Sequence, residues 1–189
     1  MIGRVLFSLS ALALVAAQPA AEAPAPVLPI IAPQDIASDP SNRLTLELST
    51  GGKVVIVLRP DAAPGHVERI KSLVGHGFYN GLAFHRVVPG FMAQGGDPKG
   101  TGEGGSTLPD LKAEFNSLPF LRGTMGAARA DSPDSANSQF FIMFAPNASL
   151  NNKYTVIGRV IEGMDAGDKI APGEPPEQPT RIVRASLGG

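Results

Sequence analysis

Cysteine is absent from the 189 residues, which excludes disulfides, thiolate catalysis and lipid attachment through a thiol. Histidine is scarce: only His66, His76 and His85 occur. Three scattered histidines without cysteine make a poor zinc site, and a nucleophile–histidine–acid relay would need them to converge. An excess of charge is missing too, with 16 Lys and Arg against 17 Asp and Glu. Nucleic acid is therefore not an expected partner, because such binding leaves a basic footprint. The apolar run Val5–Ala17 has 13 residues, too few to span a bilayer, so no stable membrane span is expected. Lying behind the basic residue Arg4, it has the make-up of a secretory signal, with Val15-Ala16-Ala17 as small residues at the cut. Residues 1–17 are read as a signal peptide and the product as exported and periplasmic. A loosely attached apolar helix is the plainer alternative. Export is compatible with the missing cysteines, since an oxidising compartment permits disulfides without requiring them.

Residues 18–40 are rich in Pro and Ala, as in PAAEAPAPVLPIIAPQ, and read as a flexible, extended spacer. Residues 41–189 are long enough for one domain that buries about two-thirds of its extended surface. In RLTLELSTGGKVVIVLRP, Leu44, Leu46 and Leu48 alternate with polar residues, and TGG supplies a turn. Val54–Leu58 is apolar on both faces, as where a sheet also receives a helix. Val67, Ile70, Leu73 and Val74 recur at helical spacing, with Pro64 near the start and Gly75 and Gly77 at the end. From Leu82 onward, short apolar segments are cut by glycine and proline: LAFHRVV, GFMAQGG, GTMGAAR, SQFFIMF, YTVIGRV and TRIVRASL. A small helix is expected near Glu162–Ile170, although Gly163 and Gly167 weaken it. Many short strands and one clear helix predict a mainly β, closed antiparallel barrel, because the helices for parallel crossovers are missing.

The chemistry must then come from other residue types. GDPKGTGEGGSTLPD lacks a phosphate-loop pattern and reads as a flexible surface rim. His66 and His76 lie in or beside the helix and read as solvated, and His85 reads as structural. In FHRVVPGFMAQGGD, Met92 and Gln94 share a face if the chain is extended, and Phe91 and Arg86 flank them. Such a passage can offer an apolar patch, an amide and a guanidinium to one groove. In SQFFIMF, Phe141 and Met143 take one face and Phe140 and Ile142 the other, so that one face can be core and the other a pocket wall.

FHRVVPGFMAQGGD resembles the signature segment of the cyclophilins, a class of peptidyl-prolyl cis-trans isomerases. GTMGAARADSPDSANSQFFI and LNNKYTVIGRVIEGMD extend the resemblance, which runs from about Leu44 to Leu187. AARADSPDSANSQFF is more similar to the bacterial exported branch. The resemblance implies a closed eight-stranded antiparallel barrel capped by two helices, with a substrate groove on its outer wall. It implies isomerisation of X–Pro bonds with no cofactor or metal, assisting the folding of exported proteins. It also implies proline-containing unfolded or flexible polypeptides as partners and a monomeric state. A non-catalytic chaperone or scaffold that only holds proline peptides is the first rival, and a purely structural barrel the second. Carried over by position, Arg86, Gln94 and Phe91 are catalytic, while Met92, Ala130, Phe141, Leu150 and Tyr154 bind substrate. Ala130 would act through its backbone. Ser149 stands where the family carries an aromatic residue that packs on cyclosporin, which implies weak binding or none. Ala127-Ala128 replaces a more usual Met-Ala at the pocket floor.

Overall fold

The computed structural model describes residues 26–188; the signal-peptide reading of residues 1–17 lies outside them, as does the first part of the spacer. The elements are α1 (Gln34–Ser38), β1 (Arg43–Leu48), β2 (Lys53–Leu58), α2 (Pro64–Gly75), β3 (Arg86–Val88), β4 (Met92–Gly95), β5 (Thr124–Ala127), β6 (Phe140–Met143), β7 (Val156–Glu162), α3 (Met164–Gly167) and β8 (Ile182–Leu187). Among the described residues no helix is long and apolar enough to cross a membrane. Of the two expected capping helices, α2 is full length, while the glycine-weakened α3 makes a single turn.

The eight strands form one antiparallel sheet in the order β3-β4-β6-β5-β7-β2-β1-β8. The expectation of a closed barrel is corrected here. The sheet is open, a half-barrel whose edges stand 14 Å apart. The reason lies in the edge strands. β3 has three residues, and its Val87 exchanges both backbone hydrogen bonds with Gly173, at 2.8 and 2.9 Å, instead of with β8. Upstream, Ala83 and Arg181 form an isolated bridge. Single bridges and a loop therefore line the seam, and no ladder crosses it.

Alternation in the sequence sorts side chains onto two faces. The concave face carries Leu44, Leu46, Leu48, Val54, Ile56, Leu58, Phe140, Ile142 and Ile182, packed against Val67, Ile70, Leu73 and Val74 of α2. A second cluster on the other face gathers Met92, Phe141, Met143, Leu118, Phe120, Ala128 and Val156. The split of SQFFIMF between two faces is thus realised. Within the Pro/Ala-rich stretch, the described residues lie along the domain: Leu28 N donates to Ser117 Oγ (2.8 Å), and Ser117 Oγ donates to Pro26 O (3.3 Å).

Helix α2 lacks a local side-chain cap at Ala63. Glu114, from a distant loop, supplies it by accepting from Gly65 N and His66 N, both at 3.0 Å. Its Oε2 also lies 2.6 Å from His66 Nδ1. Burial pushes the Glu114 carboxyl upward, but the bonds from the His66 ring and the two backbone N–H groups outweigh it, leaving the group below the usual carboxylate value. The reading of His66 as solvated is corrected, since it is buried. His66, Ile70 and Leu73 follow one helical stripe, a spacing that carries the histidine inward with its apolar neighbours. His76 is exposed.

Candidate active site

Register builds the site. Arg86 on β3 faces Gln94 on β4, Gln94 faces Phe141 on β6, and Phe141 faces Gly126 on β5. Directly opposed residues project to the same side of a sheet, so a guanidinium, an amide and an aromatic ring stand in one line on the outer face. Met92, two residues before Gln94, joins them beside Met143. Gly126 ends the line because no side chain fits there: a Cβ would come within 2.6 Å of Phe141 Cζ and 2.7 Å of Phe120 Cε1.

A groove of about 210 Å³ opens over this line, walled by Arg86, Phe91, Met92, Gln94, Ala128, Arg129, Phe141, Leu150 and Tyr154. Phe141 forms its floor, stacked on Phe120 at 5.7 Å between ring centres. Tyr154 stands edge-on to both rings. Leu150 comes from a 3₁₀ turn capped by Asn147, whose side chain accepts from Ser149 N. The structure thus brings together seven of the eight residues singled out in the sequence. Ala130 lies elsewhere, in an adjoining hollow with Ser135, Asn137 and the Gly102–Ser106 segment. Its N–H donates to Ser135 Oγ (3.0 Å), and its carbonyl accepts from Arg129 Nη1 (2.8 Å).

Sequence reasoning missed Arg129. Its guanidinium sits 4.6 Å above the Tyr154 ring, a cation–π contact that holds the groove rim. It also missed Asp97. The carboxylate of Asp97 is buried and accepts from Lys99 N (2.8 Å), Thr101 N (2.9 Å) and Gly102 N (2.6 Å). Burial pushes its pKa up, and these backbone bonds, with that from Gly104, outweigh it and hold the group below the ordinary value. The glycine-rich rim is consequently pinned, where the composition suggested a flexible loop. An aspartate followed closely by glycines and a threonine was the available signal, since its side chain readily satisfies local N–H groups.

Gln94 Nε2 donates to Gln139 Oε1 (2.9 Å), and Gln139 Nε2 donates to the carbonyls of Gly102 and Gly104. The amide at the groove is thereby tied to the pinned loop. His85 is buried beside Arg86, and neither ring nitrogen has a partner. Burial lowers its pKa and Arg86 adds to that, with Asp97 opposing, so the ring favours the neutral form. Arg86 is partly exposed and donates from Nε to Glu174 Oε2 at 2.6 Å. Among the described residues, no cluster of three or more His, Asp or Glu is placed to hold a metal.

A guanidinium, an amide and an apolar floor, with no nucleophile, suit a reaction that rotates a bond without breaking one. The sequence profile of the cyclophilin-type peptidyl-prolyl cis-trans isomerases matches residues 43–187. This chain belongs to the cyclophilin family. A relative in Brucella suis biovar 1, named "Probable peptidyl-prolyl cis-trans isomerase", is 52% identical over 167 residues, covering 80% of this cyclophilin and 85% of that protein. Peptidyl-prolyl cis-trans isomerase B of Bacillus subtilis is 41% identical over 129 residues, covering 67% and 89%. A crystal structure of a cyclophilin from Hirschia baltica superposes with a TM-score of 0.73 at 30% identity, covering 79% of this chain and 74% of that one. One from Cryptosporidium parvum, crystallised in the presence of the dipeptide Ala-Pro, gives 0.72 at 25% identity, covering 78% and 99%. The cyclophilin is therefore a peptidyl-prolyl isomerase acting on X–Pro bonds.

Proposed function

We propose that this isomerase works through Arg86 over the Phe141 floor and that it assists the folding of exported, proline-containing polypeptides. The observation that carries the reading is the line Arg86–Gln94–Phe141 across three strands, which points all three side chains into one groove.

An X–Pro bond turns slowly because resonance gives its C–N bond double-bond character, with a barrier of roughly 20 kcal/mol. In the twisted transition state, resonance is lost and the nitrogen becomes pyramidal and electron-rich. A guanidinium donating toward that nitrogen favours the twisted form over the planar one, which is the condition for rate gain. Arginine stays charged at physiological pH, so no proton needs to move. Phe91, Met92, Phe141 and Leu150 grip the pyrrolidine ring while the remaining chain rotates. Gln94, held by Gln139 through its amide nitrogen, presents its carbonyl to the substrate backbone. Ala130, in the adjoining hollow, meets the peptide through the second lone pair of its carbonyl, its N–H being taken by Ser135, and Tyr154 closes the rim. The Ala-Pro dipeptide present with the Cryptosporidium relative supports the choice of ligand.

The groove is complete within one chain, which supports action as a monomer. Ser149 is exposed and offers no ring, which supports weak cyclosporin binding. Export rests on the charged start and short apolar run of residues 1–17.

The test of the site is Arg86→Ala and Arg86→Lys in an NMR exchange assay on an Ala-Pro peptide, with affinity measured on the same preparation. Turnover should fall by at least about tenfold, or about 1.4 kcal/mol of lost preference, with the fold intact. Unchanged turnover would remove Arg86 from the mechanism, and binding without acceleration in the wild type would favour a holding module. Export is tested by cell fractionation with sequencing of the mature N-terminus; a cytoplasmic product that keeps Met1 would refute it.

A further inference from the structure

We propose that Glu174 is the positioning residue for Arg86, an inference that rests on the catalytic role given to Arg86 above. Arginine reaches its target on a long, freely rotating side chain, and Arg86 is partly exposed on the three-residue edge strand β3. Neither burial nor a neighbouring strand on that side fixes its guanidinium. The one bond its guanidinium makes among the described residues is Nε to Glu174 Oε2, at 2.6 Å. This contact uses the inner N–H and leaves those on Nη1 and Nη2 for the groove. A carboxylate on Nε sets both the plane of the fork and the direction in which its outer edge points.

A second observation shows that the backbone carrying the carboxylate is itself held. Gly173, immediately before Glu174, exchanges both backbone hydrogen bonds with Val87, immediately after Arg86. The two charged residues thus flank a fixed pair, and their side chains meet across it. At Gly173 φ is +142° and a Cβ would come within 2.5 Å of Pro176 Cα, so this tight passage of chain requires a glycine. The loop filling the open seam of the sheet therefore delivers a carboxylate to the back of the arginine. An exposed ion pair of this kind contributes little to stability. Its effect lies in orientation, where small misplacements cost rate.

The experiment compares wild type, Glu174→Gln, Glu174→Asp and Arg86→Ala in the full chain, using the same Ala-Pro peptide. The readouts are kcat, KM and the Arg86 Nε–Hε NMR signal. Glu174→Gln should lower kcat by roughly three- to tenfold with KM within about twofold, and the Nε–Hε proton should lose its protection from exchange. Glu174→Asp should recover part of the signal and of the rate. Added to Arg86→Ala, Glu174→Gln should change nothing further. If Glu174→Gln matches or exceeds wild-type kcat while Arg86→Ala is impaired, the positioning role is overturned and the site reading stands. If Arg86→Ala itself turns over normally, the site reading fails instead.

Discussion

Gly126 offers the sharpest test of how the groove is built. Alanine there meets no backbone obstacle, because Gly126 lies in strand β5 and is not among the positive-φ glycines. The whole effect falls on two rings. The added Cβ would sit 2.6 Å from Phe141 Cζ and 2.7 Å from Phe120 Cε1, whereas ordinary contact begins at 3.4 Å. The difference, 3.4 − 2.6, means that the Phe141 ring must give by about 0.8 Å. It has little room, being stacked on Phe120 and abutted by Tyr154. Overpacking of this kind costs about 1–3 kcal/mol, and the narrower unfolded ensemble of alanine returns about 0.4–1 kcal/mol. A net loss centred on about 1.3 kcal/mol follows, lowering Tm by about 3–5 °C at this chain length. Because the displaced ring is the groove floor, kcat/KM should fall by about tenfold at a temperature where the variant is folded. Gly158→Ala is the control. Its Cβ would strike Val57 O at 2.6 Å, away from the groove, so it should lower Tm and leave the kcat of the folded protein unchanged. Thermal unfolding and NMR exchange on both variants decide the matter. A Gly126→Ala protein with wild-type Tm and wild-type turnover would refute the reasoning.

Phe141→Ala should cost about 3–5 kcal/mol in chemical denaturation and most of the activity, because one ring serves both packing and groove. Glu114→Ala strips the cap from α2 and leaves buried donors unsatisfied, so it should lose about 1–3 kcal/mol. Because the Glu114 pKa is depressed on folding, its stabilisation is complete above the ordinary value of 4.5 and is lost as pH falls through the lower, folded value. The stability difference between wild type and Glu114→Ala, followed by denaturant titration at successively lower pH, should shrink on the acid side; a constant gap would disprove the linkage. Asp97→Ala frees the loop that braces Gln139 and Gln94, so KM for the peptide should rise and exchange at the Lys99, Thr101 and Gly102 amides should quicken.

Local pattern was readable and long-range partnership was not. The alternation of Leu44, Leu46 and Leu48 and the stripe of Val67, Ile70 and Leu73 located β1 and α2, because each spacing has one packing solution. The two-faced run Phe140–Met143 identified a strand with core on one side and a wall on the other. Closure of the sheet was misjudged because it depends on how the edges meet, and strand count says nothing about Val87 pairing with Gly173. The groove residues Arg86, Phe91, Met92 and Gln94 come from one passage of chain and were visible together. Glu114 at His66, 48 residues away, and Glu174 at Arg86, 88 away, were not, since an isolated glutamate in a loop carries no mark of its partner. Arg129 was hidden for the same reason: its target, Tyr154, comes from a bend 25 residues further on, just before β7.

The groove stands on the outer wall of a single sheet and has room for one small ring. A polypeptide can therefore settle on it sideways, both ends trailing into solvent, without threading or unfolding beyond a few residues. On the mechanism proposed above, the contacts needed are those to the imino acid and its immediate flank, so a single shape-matched notch would serve clients of any length and end sequence.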